Sequence, residues 1–423
     1  MPRNTEDKIF GKTGLDSRQE SDCRSFRVTA GDRILGYVAI DSTIGGRSCG
    51  GLRMLPALDE AEVRSLARTM TLKYGFLGLP QGGAKAGVIC DPEAPEPERM
   101  KCLAEFGRAI EPLLRTQAYI PNSDMGTSNA NIRYMLNAVG ISVGRRELRS
   151  DRSGYYTACS VLAGVVQATR HVGLNLSQCT VAVEGFGNVG RPLAMLLDQA
   201  GGKIVAISNS LGGLYNPRGL EVDRLIRLAE EVGSRVVEVY REAESIGRET
   251  LLELPVDIIC PCAHANSLNV DKVPRISAHV ICAGANDPIT PSAEYALSER
   301  GVVCLPDFVT NCGGVLGGTM EFASVSSAQI EAFIDEQIGA RIAWLLGEAE
   351  AQRRTPREVT VPVALHRFEE VAQSASDMTP LRRLFQMGVN LYRWGLIPGF
   401  VVAPLSMPYF SRTLVSPADL SRG

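Results

Sequence analysis

Six residues that stand between a β-rich run and an apolar helix constrain the fold of this chain more than any other feature. Residues 180–184 predict a strand, residues 192–200 continue with helical periodicity, and residues 203–208 predict a second strand, so the segment forms a β–α–β unit. In that setting Gly185 can make the turn and Gly187 can admit a pyrophosphate to the N-terminus of the helix. We interpret the segment as a dinucleotide site rather than a structural turn, formed by Gly185, Phe186, Gly187, Asn188, Val189 and Gly190.

The rest of the chain fits a two-domain α/β protein. Strands predicted at 256–260 and 279–283 recur at intervals suited to a doubly wound parallel sheet. Upstream, a β-hairpin is predicted over residues 25–40, followed by a helix from Asp59 that carries Lys73 near its end. A chain of 423 residues exceeds the usual size of a single core, and the polar run around 145–153 is the predicted hinge. Residues 325–350 predict one long amphipathic helix.

Composition excludes several partners and sites. A formal charge of −3 without a Lys/Arg-rich run argues against a nucleic acid partner. The N-terminus lacks the apolar core of a secretory signal, so we expect a cytoplasmic protein whose eleven cysteines are reduced and mostly buried. Cys260, Cys262 and His264 invite a metal, but no fourth ligand stands at a useful spacing. We interpret these three as core residues and predict no metal site.

The C-terminal tail is unusually apolar. Between residues 388 and 410 only Arg393 is charged, which superficially resembles a membrane span. Pro398, Pro404 and Pro408 should break the segment into pieces too short to cross a bilayer as one regular helix. We expect the tail to dock against the body of the protein or a neighbouring subunit rather than to contact a membrane.

Three ionisable residues in the first third of the chain point to its chemistry. They are Lys73 in Met-Thr-Leu-Lys, Lys85 in Gly-Gly-Ala-Lys and Asp124 in Ser-Asp-Met-Gly-Thr. A lone lysine is most often a solvated surface amine, and Asp124 alone could cap a turn. Amines and a carboxylate upstream of a dinucleotide site, however, suit chemistry on a carbon that bears both a nitrogen and a carboxylate. A lysine beside another ammonium group, in a cleft that excludes water, should have a lowered pKa and act as a base; Lys85 is that candidate.

Six segments occur in an order shared with one enzyme family. They are Gly-Gly-Leu-Arg-Met at 50–54, Met-Thr-Leu-Lys at 70–73, Gly-Gly-Ala-Lys at 82–85, Ser-Asp-Met-Gly-Thr at 123–127, Gly-Phe-Gly-Asn-Val-Gly at 185–190 and Asn-Cys-Gly-Gly-Val at 311–315. On these segments the chain resembles the glutamate, leucine, phenylalanine and valine dehydrogenase superfamily, over about residues 25–370. The resemblance implies an N-terminal extension (1–24), a substrate-binding and oligomerisation domain (25–150), a dinucleotide-binding Rossmann domain (151–325), helices that return to the first domain (326–375) and an apolar tail (376–423).

The resemblance also implies roles for individual residues. Lys73 would bind the substrate α-carboxylate together with the backbone amides of Gly50 and Gly51. Hydride would leave the α-carbon for a nicotinamide, Lys85 would activate water to attack the resulting iminium, and Asp124 would exchange protons with the amino nitrogen. The family contacts the nicotinamide carboxamide and ribose at the positions of Thr157, Asn286 and Asn311.

The cofactor and the substrate are less closely defined. Where an acidic residue would hold the adenosine ribose, this chain has Asn209 with serines on both sides, so both NAD and NADP are admissible. Glutamate-specific relatives hold the side-chain carboxylate with a lysine and a serine, at positions that here carry Cys49 and Gly318, which disfavours glutamate. Met70 and Val315 suit an apolar pocket, whereas a buried Asn122 would favour an aromatic or polar-tipped amino acid.

The expected activity is therefore oxidative deamination of an L-amino acid to a 2-oxo acid and ammonia, or the reverse reductive amination. Cys159 and Ser160 replace a glycine usual in the family, and Asp287 alters the surroundings of Asn286, so a non-catalytic binding or regulatory paralogue is the alternative. Because family members pair through the first domain, we expect a homo-oligomer.

Overall fold

The computed structural model describes residues 15–20, 23–148, 152–376 and 380–413. These residues form two compact units. The first contains the chain up to residue 148 together with Phe322–Ser324 and Ala364–Thr413, and the second contains Arg152–Glu321 and Val325–Val363. Most of the predicted N-terminal extension, part of the polar run at 145–153 and the last ten residues of the predicted tail lie outside the described residues.

The first unit is built on a six-stranded mixed sheet in the order β1-β2-β3-β5-β4-β6. Strands β1, β2 and β3 are antiparallel, and β3 is antiparallel to β5. Strand β4 runs parallel to both β5 and β6. The predicted β-hairpin is confirmed as β2 and β3. The strands are β1 Leu15–Glu20, β2 Cys23–Ala30, β3 Arg33–Ile40, β4 Ser48–Leu55, β5 Gly82–Ile89 and β6 Ile120–Ser123.

Four helices accompany this sheet: α1 Glu60–Leu77, α2 Glu96–Ala109, α3 Glu111–Arg115 and α4 Asn129–Ala138. The predicted first helix is confirmed. Asp59 caps its N-terminus by accepting a hydrogen bond from the Ala61 backbone, and two glutamates in the first turn complement the helix dipole. The C-terminal half of α1 is buried, including Met70 and Lys73. Lys73 thus differs from an ordinary surface lysine, because a polar residue that is buried on a helix requires partners.

The second unit contains a seven-stranded sheet in the order β10-β9-β8-β7-β11-β12-β13. The five strands from β8 to β13 in this order are parallel, as predicted, but β9 and β10 extend one edge in antiparallel pairing. The edge hairpin follows directly from β8. The strands are β7 Thr180–Glu184, β8 Lys203–Asn209, β9 Gly212–Tyr215, β10 Glu244–Ile246, β11 Ile258–Pro261, β12 Val280–Cys282 and β13 Val303–Leu305.

The helices of the second unit are α5 Ser153–His171, α6 Gly190–Gln199, α7 Val222–Val232, α8 Val236–Val239, α9 Pro291–Ser298, α10 Asp307–Thr310, α11 Gly313–Phe322, α12 Ser327–Phe333 and α13 Gly339–Gln352. Helix α14, Pro356–Ser376, begins in the second unit and continues into the first. The single helix predicted at 325–350 is interrupted by a π-helical turn at Ile334–Ile338. Helices α12 and α13 belong to the second unit, where Arg152 pairs with Glu331, and the chain returns to the first unit at Ala364.

The described part of the tail forms two helices, α15 Pro380–Arg393 and α16 Gly399–Thr413. The predicted break is confirmed at Pro398, which lies between the two helices, but it is wrong for Pro404 and Pro408, because both lie inside α16. Because proline has a φ close to the helical value, it can stay within a helix. Its missing backbone N–H removes one hydrogen bond at each position. Among the described residues, no helix combines the length and apolarity needed to cross a membrane.

Candidate functional site

The first unit brings Lys85 and Asp124 into contact. Lys85 lies in β5 and Asp124 directly follows β6, while β4 lies between these two strands in the sheet. The Lys85 Nζ forms an ion pair with Asp124 Oδ2, and only 3% of Lys85 is exposed. Gly51 in β4 makes room for the contact, because a Cβ at this position would lie 2.7 Å from the Asp124 Cβ. The pair is therefore built into the centre of the parallel part of the sheet.

A tight turn after β6 fixes the Asp124 carboxylate. The Met125 backbone donates to Asp124 Oδ1 at 2.8 Å, and the Asp124 backbone donates to Thr127 Oγ1 at 3.0 Å. Thr127 Oγ1 in turn donates to the Leu52 carbonyl of β4 at 2.7 Å. Gly126 has a φ of 75°, which favours glycine. The turn and the ion pair coexist, with Oδ1 serving the turn and Oδ2 facing Lys85.

Arg53, which stands in the motif Gly-Gly-Leu-Arg-Met without a predicted role, is a third member of this cluster. Its Nε donates to Asp124 Oδ2 at 3.3 Å, the same oxygen that Lys85 contacts, and its Nη1 contacts Glu62 Oε1 at 2.8 Å. Only 4% of Arg53 is exposed. Alternation along β4 was an available signal, because residues 51 and 53 project from the same face of a strand.

Burial and charge set the protonation states of this cluster. Burial lowers the pKa of Lys85 from 10.5 to about 8; Asp124 opposes the shift, whereas Arg53 and Lys73 reinforce it. For Asp124, burial acts to raise the pKa, but Lys85 and Arg53 together hold it below the usual carboxyl range. At neutral pH the carboxylate is therefore ionised, and Lys85 can release its proton at a mildly alkaline pH. A general base requires this property.

The structure also places the predicted substrate residues of the first unit. Lys73 is buried on α1, close enough for its charge to act on Lys85, and Met70 lies one turn before it. Gly50 and Gly51 lie within β4, opposite Pro121 and Asn122 of β6. These residues and the Lys85–Asp124 pair thus occupy adjoining strands and the helix α1 of one unit.

Cys49 and Asn122 contact each other across neighbouring strands. The Asn122 Nδ2 donates to the Cys49 Sγ at 3.1 Å, and burial raises the pKa of the Cys49 thiol. The expectation that Asn122 would be buried is wrong, because Asn122 is exposed, and its amino group already donates to Cys49. Asn122 follows Pro121 near the end of a short strand, where alternate side chains point away from the core.

In the second unit, the glycine motif forms the expected strand–turn–helix structure. Gly185 follows β7 with a φ of 87°, and the backbone amides of Gly185 and Phe186 both donate to the Ser208 carbonyl of β8, at 3.0 and 2.6 Å. A Cβ at Gly187 would contact nothing within 4 Å, so the space above the turn is open, and α6 begins at Gly190. This open cradle before a helix N-terminus fits a dinucleotide pyrophosphate.

The adenosine end of the motif is occupied by an amide. Asn209 is the last residue of β8; its Nδ2 donates to the Ser234 carbonyl at 2.7 Å, and its Oδ1 accepts from the Leu211 backbone at 2.9 Å. Arg235, next to Ser234, pairs with Glu238 at 3.3 Å. Asn209 therefore shapes its own loop and brings no negative charge to this end.

Two predicted nicotinamide residues lie together at the end of β12 and after α10. The Asn311 Nδ2 donates to Asn286 Oδ1 and to the Ala285 carbonyl, both at 2.9 Å. The Asn311 Oδ1 is buried and has no hydrogen-bond partner within the described chain. Thr157 Oγ1 donates to the Ser153 carbonyl at 2.8 Å within α5. This buried acceptor oxygen could receive a hydrogen bond from the carboxamide NH₂ group of a nicotinamide.

Ser160, which replaces a glycine usual in the family, joins α5 to this region. Its hydroxyl donates to the Thr310 carbonyl at 2.6 Å and accepts from the Gly313 backbone at 2.9 Å. On α11, Val315 is half-buried, and a Cβ at the exposed Gly318 would contact nothing within 4 Å. Ser160 therefore supports the segment that carries Asn311 rather than disrupting it.

The cysteines carry no sign of a metal. All eleven are free, and within the described residues no cluster of histidine, cysteine and acidic side chains could hold a metal ion. Burial raises the pKa of the Cys260 and Cys262 thiols far above the usual value of a cysteine, so both thiols stay protonated. Cys260 is a core residue and Cys262 is half-buried, but His264 is exposed, so the interpretation of all three as core residues is wrong for His264.

Two family models match most of the chain. Residues 24–140 match the Glu/Leu/Phe/Val dehydrogenase dimerisation domain, and residues 150–358 match the Glutamate/Leucine/Phenylalanine/Valine dehydrogenase domain. Among solved structures, the hetero-hexameric glutamate dehydrogenase of Thermus thermophilus in its Leu-bound form superposes with a TM-score of 0.71 at 24% identity, covering 85% of this chain and 90% of that one. The L-tryptophan dehydrogenase of Nostoc punctiforme has a TM-score of 0.57 at 21% identity, over 86% and 99% of the two chains.

Curated relatives agree with these matches. The glutamate dehydrogenase of Thermotoga maritima is 35% identical over 297 residues, which cover 66% of this chain and 70% of that protein. The NAD-specific glutamate dehydrogenase of Staphylococcus aureus is 33% identical over 292 residues, with the same coverage of 66% and 70%. The chain belongs to the glutamate/leucine/phenylalanine/valine dehydrogenase family and is an amino acid dehydrogenase that uses a nicotinamide cofactor.

Proposed function

We propose that this enzyme deaminates an L-amino acid other than glutamate to a 2-oxo acid and ammonia, and catalyses the reverse amination. The observation that carries the proposal is the cluster in which the buried Lys85 and Arg53 meet the half-buried Asp124, so that a lysine with a pKa of about 8 contacts an ionised carboxylate. Such a cluster is costly to bury and is typical of an acid–base site.

In this proposal each residue has one task. A bound nicotinamide supplies the acceptor for the hydride that leaves the substrate α-carbon. Lys73 binds the α-carboxylate, helped by the amides of Gly50 and Gly51, and holds the α-carbon in place. The neutral amine of Lys85 takes a proton from the water that attacks the iminium carbon, and Asp124 exchanges protons with the amino nitrogen. Ammonia then leaves and the 2-oxo acid is released.

The substrate assignment rests on the absence of charge at two positions. Cys49 is a protonated thiol, since burial raises its pKa, and Gly318 has no side chain. Neither residue can neutralise a second substrate carboxylate, whose burial without a partner costs several kcal/mol. Met70 and Val315 favour an apolar or aromatic side chain, and the Asn122 Oδ1 remains able to accept a hydrogen bond from a polar tip.

We further propose that the enzyme accepts both NAD and NADP. Asn209 lacks the charge that would repel a ribose 2′-phosphate, and the neighbouring Arg235 is paired with Glu238 instead of being free to hold one. We expect the kcat/KM values for the two dinucleotides to lie within about tenfold, that is, within about 1.4 kcal/mol of each other. A larger preference for either one would contradict this assignment.

The direct test is oxidation of NADH and NADPH, followed by absorbance, with ammonia and a panel of aliphatic, aromatic, polar and acidic 2-oxo acids. Turnover of apolar or aromatic acids with little turnover of 2-oxoglutarate would support the proposal. A preference for 2-oxoglutarate would refute the substrate assignment. Dinucleotide binding without turnover of any acid would favour the alternative, a non-catalytic regulatory paralogue, and product analysis with methylamine would detect amines other than ammonia.

The family match also bears on the assembly. The matched dimerisation domain supports a homo-oligomer that pairs through the first domain, and the Thermus thermophilus relative, a hetero-hexamer, is also an oligomer. The bounds of the domains and the cytoplasmic location stay predictions.

Arg53→Gln should move the pH dependence of kcat/KM to higher pH. Because the Arg53 charge lowers the pKa of Lys85, its removal raises that pKa, so the neutral amine forms only at a more alkaline pH. Wild-type kcat/KM for amino acid oxidation should rise with pH, in a limb centred near pH 8. In the variant this rising limb should lie at a higher pH.

Two further variants test the same idea. Arg53→Lys keeps a positive charge and should retain a limb closer to that of the wild type. Arg68→Gln removes a half-exposed arginine of the same unit, which pairs with Asp41 at 3.4 Å, and should leave the profile unchanged. An unshifted limb in Arg53→Gln would show that Arg53 has only a structural role.

A further inference from the structure

The tail hairpin, α15 and α16 with their connection, is fixed to the first unit by its inner face. Tyr392 and Phe410 are 3% and 2% exposed. The Tyr392 hydroxyl is 2.6 Å from Ser324 Oγ, and its ring makes an edge contact with Phe322 at 5.4 Å between centroids. Ser406 Oγ donates to the Ala323 carbonyl at 2.8 Å. Both helices of the hairpin are therefore anchored to the same short segment.

A second anchor lies just after the segment that matches the family's dimerisation domain. The Arg146 guanidinium stacks over the Tyr392 ring at 4.4 Å and donates to the Ile397 carbonyl at 3.1 Å. Arg393 pairs with Glu147 at 3.0 Å. Because these contacts hold the hairpin in one orientation, they also define which of its residues face outwards.

The outer face of the hairpin is apolar. Ten of the sixteen exposed large hydrophobic residues in the described chain lie in this segment of 34 residues. Leu384, Met387 and Leu391 on α15 recur at helical spacing. The two most exposed residues are Leu396 at 71%, in the connection, and Phe400 at 79%, at the start of α16. The ten are Leu384, Phe385, Met387, Leu391, Trp394, Leu396, Phe400, Val401, Leu405 and Tyr409.

This area is too large for an ordinary monomer surface. Four of the ten are aromatic residues, whose side chains present about 150–250 Å² each, and the six aliphatic ones add to this, so the partly exposed set leaves an apolar area on the order of 1,000 Å². The largest apolar patch of a typical monomer is about 300–600 Å². One partner in a stable protein interface contributes about 800 Å², so the outer face has the size of one side of such an interface.

Composition distinguishes a protein partner from a lipid surface. Residues 380–413 contain four arginines and no lysine, aspartate or glutamate, alongside Trp, Phe, Tyr and Met. Protein interfaces are enriched in Arg, Met and aromatic residues and depleted in Lys, Glu and Asp. Interfacial membrane helices carry a polar face rich in Lys and Arg. The hairpin has no lysine, and one of its four arginines, Arg393, is paired with Glu147.

We propose that the outer face of the tail hairpin is an interface with a second copy of this chain. The hairpin lies beyond residue 358, where the second family model ends, but packs against Arg146 and Glu147, directly after the matched dimerisation domain. Its outer face thus extends the unit through which the family pairs. Self-association of the same patch on both copies gives a closed dimer, the commonest symmetry of soluble oligomers.

The test compares the mass of the full-length wild type with that of Leu396→Asp/Phe400→Ser, by light scattering after size exclusion. The double variant should have about half the wild-type mass or less, because two charged or polar groups would be buried at the centre of the contact. Val270→Asp alters an exposed apolar residue of the second unit and should keep the wild-type mass. An unchanged mass in the double variant, with a wild-type circular dichroism spectrum, would overturn the proposal.

A cross-linking experiment removes the dependence on folding of the variant. A benzophenone amino acid at position 396, in a mixture of ¹⁵N-labelled and unlabelled chains, should capture peptides of the hairpin from the other isotopic population. Capture only within one chain would contradict the proposal. Pelleting of the wild type with phosphatidylserine vesicles, lost in the double variant but not in Val270→Asp, would assign the face to a lipid surface instead.

Discussion

Lys85→Ala should lower kcat by about 10²–10⁴-fold while leaving dinucleotide binding unchanged, because it removes the only base that we assign to the attacking water. The amine is positioned by β5 and contacts the Asp124 carboxylate, and its pKa of about 8 makes the neutral form available near neutral pH. Alanine abolishes the proton transfer but not the glycine turn at Gly185, which belongs to the other unit. Steady-state rates of amino acid oxidation, together with fluorescence titration of NADH, measure the two effects separately.

Two companion variants separate proton transfer from charge. Lys85→Arg retains a cation beside Asp124 but cannot lose its proton in this pH range, so it should be nearly as inactive as alanine. Lys101→Ala changes an exposed lysine on α2 and should keep the wild-type rate. If Lys85→Arg were to retain most of the wild-type kcat, then Lys85 would act as a fixed charge, and another group would have to be the base.

The fold and the central residues of the candidate site could be inferred from sequence where a residue type is unusual for its local surroundings. The glycine turn at 185–190 requires a positive φ and open space, and these needs are visible in the residue types themselves. Lys73 and Lys85 stand out because a lysine within an apolar or glycine-rich run has no solvated face to occupy.

Other features depend on which atoms meet in space, and sequence patterns do not report this. Arg53 appeared as one letter of a motif, and its contact with Asp124 depends on the register of β4 and β6. The exposure of Asn122 depends on how much of β6 other elements cover. Pro404 and Pro408 suggested a break because propensity favours one, but the helix tolerates two lost hydrogen bonds.

Asp124→Asn should lower kcat by about 10²–10⁴-fold. Unlike Arg53→Gln, it should also move the rising limb of the kcat/KM profile to lower pH. The asparagine Oδ1 can still accept from Met125, so the turn should persist, but the negative charge that raises the pKa of Lys85 is lost. The pKa of Lys85 should then fall below about 8, because burial, Arg53 and Lys73 all act in that direction. The pH profile of kcat/KM measures this shift.

The same substitution should cost stability, since Lys85 and Arg53 would lose their shared carboxylate. Removing one partner of a buried ion pair typically costs about 3–5 kcal/mol, and Arg53 keeps part of its compensation from Glu62. Urea denaturation should therefore show a clear loss for Asp124→Asn and little change for Asp32→Asn, an exposed aspartate in the β2–β3 turn. Opposite shifts of the limb in Asp124→Asn and Arg53→Gln would show that the two groups act on one lysine. Shifts in the same direction would mean that the observed limb belongs to a different group and that the base must be sought elsewhere.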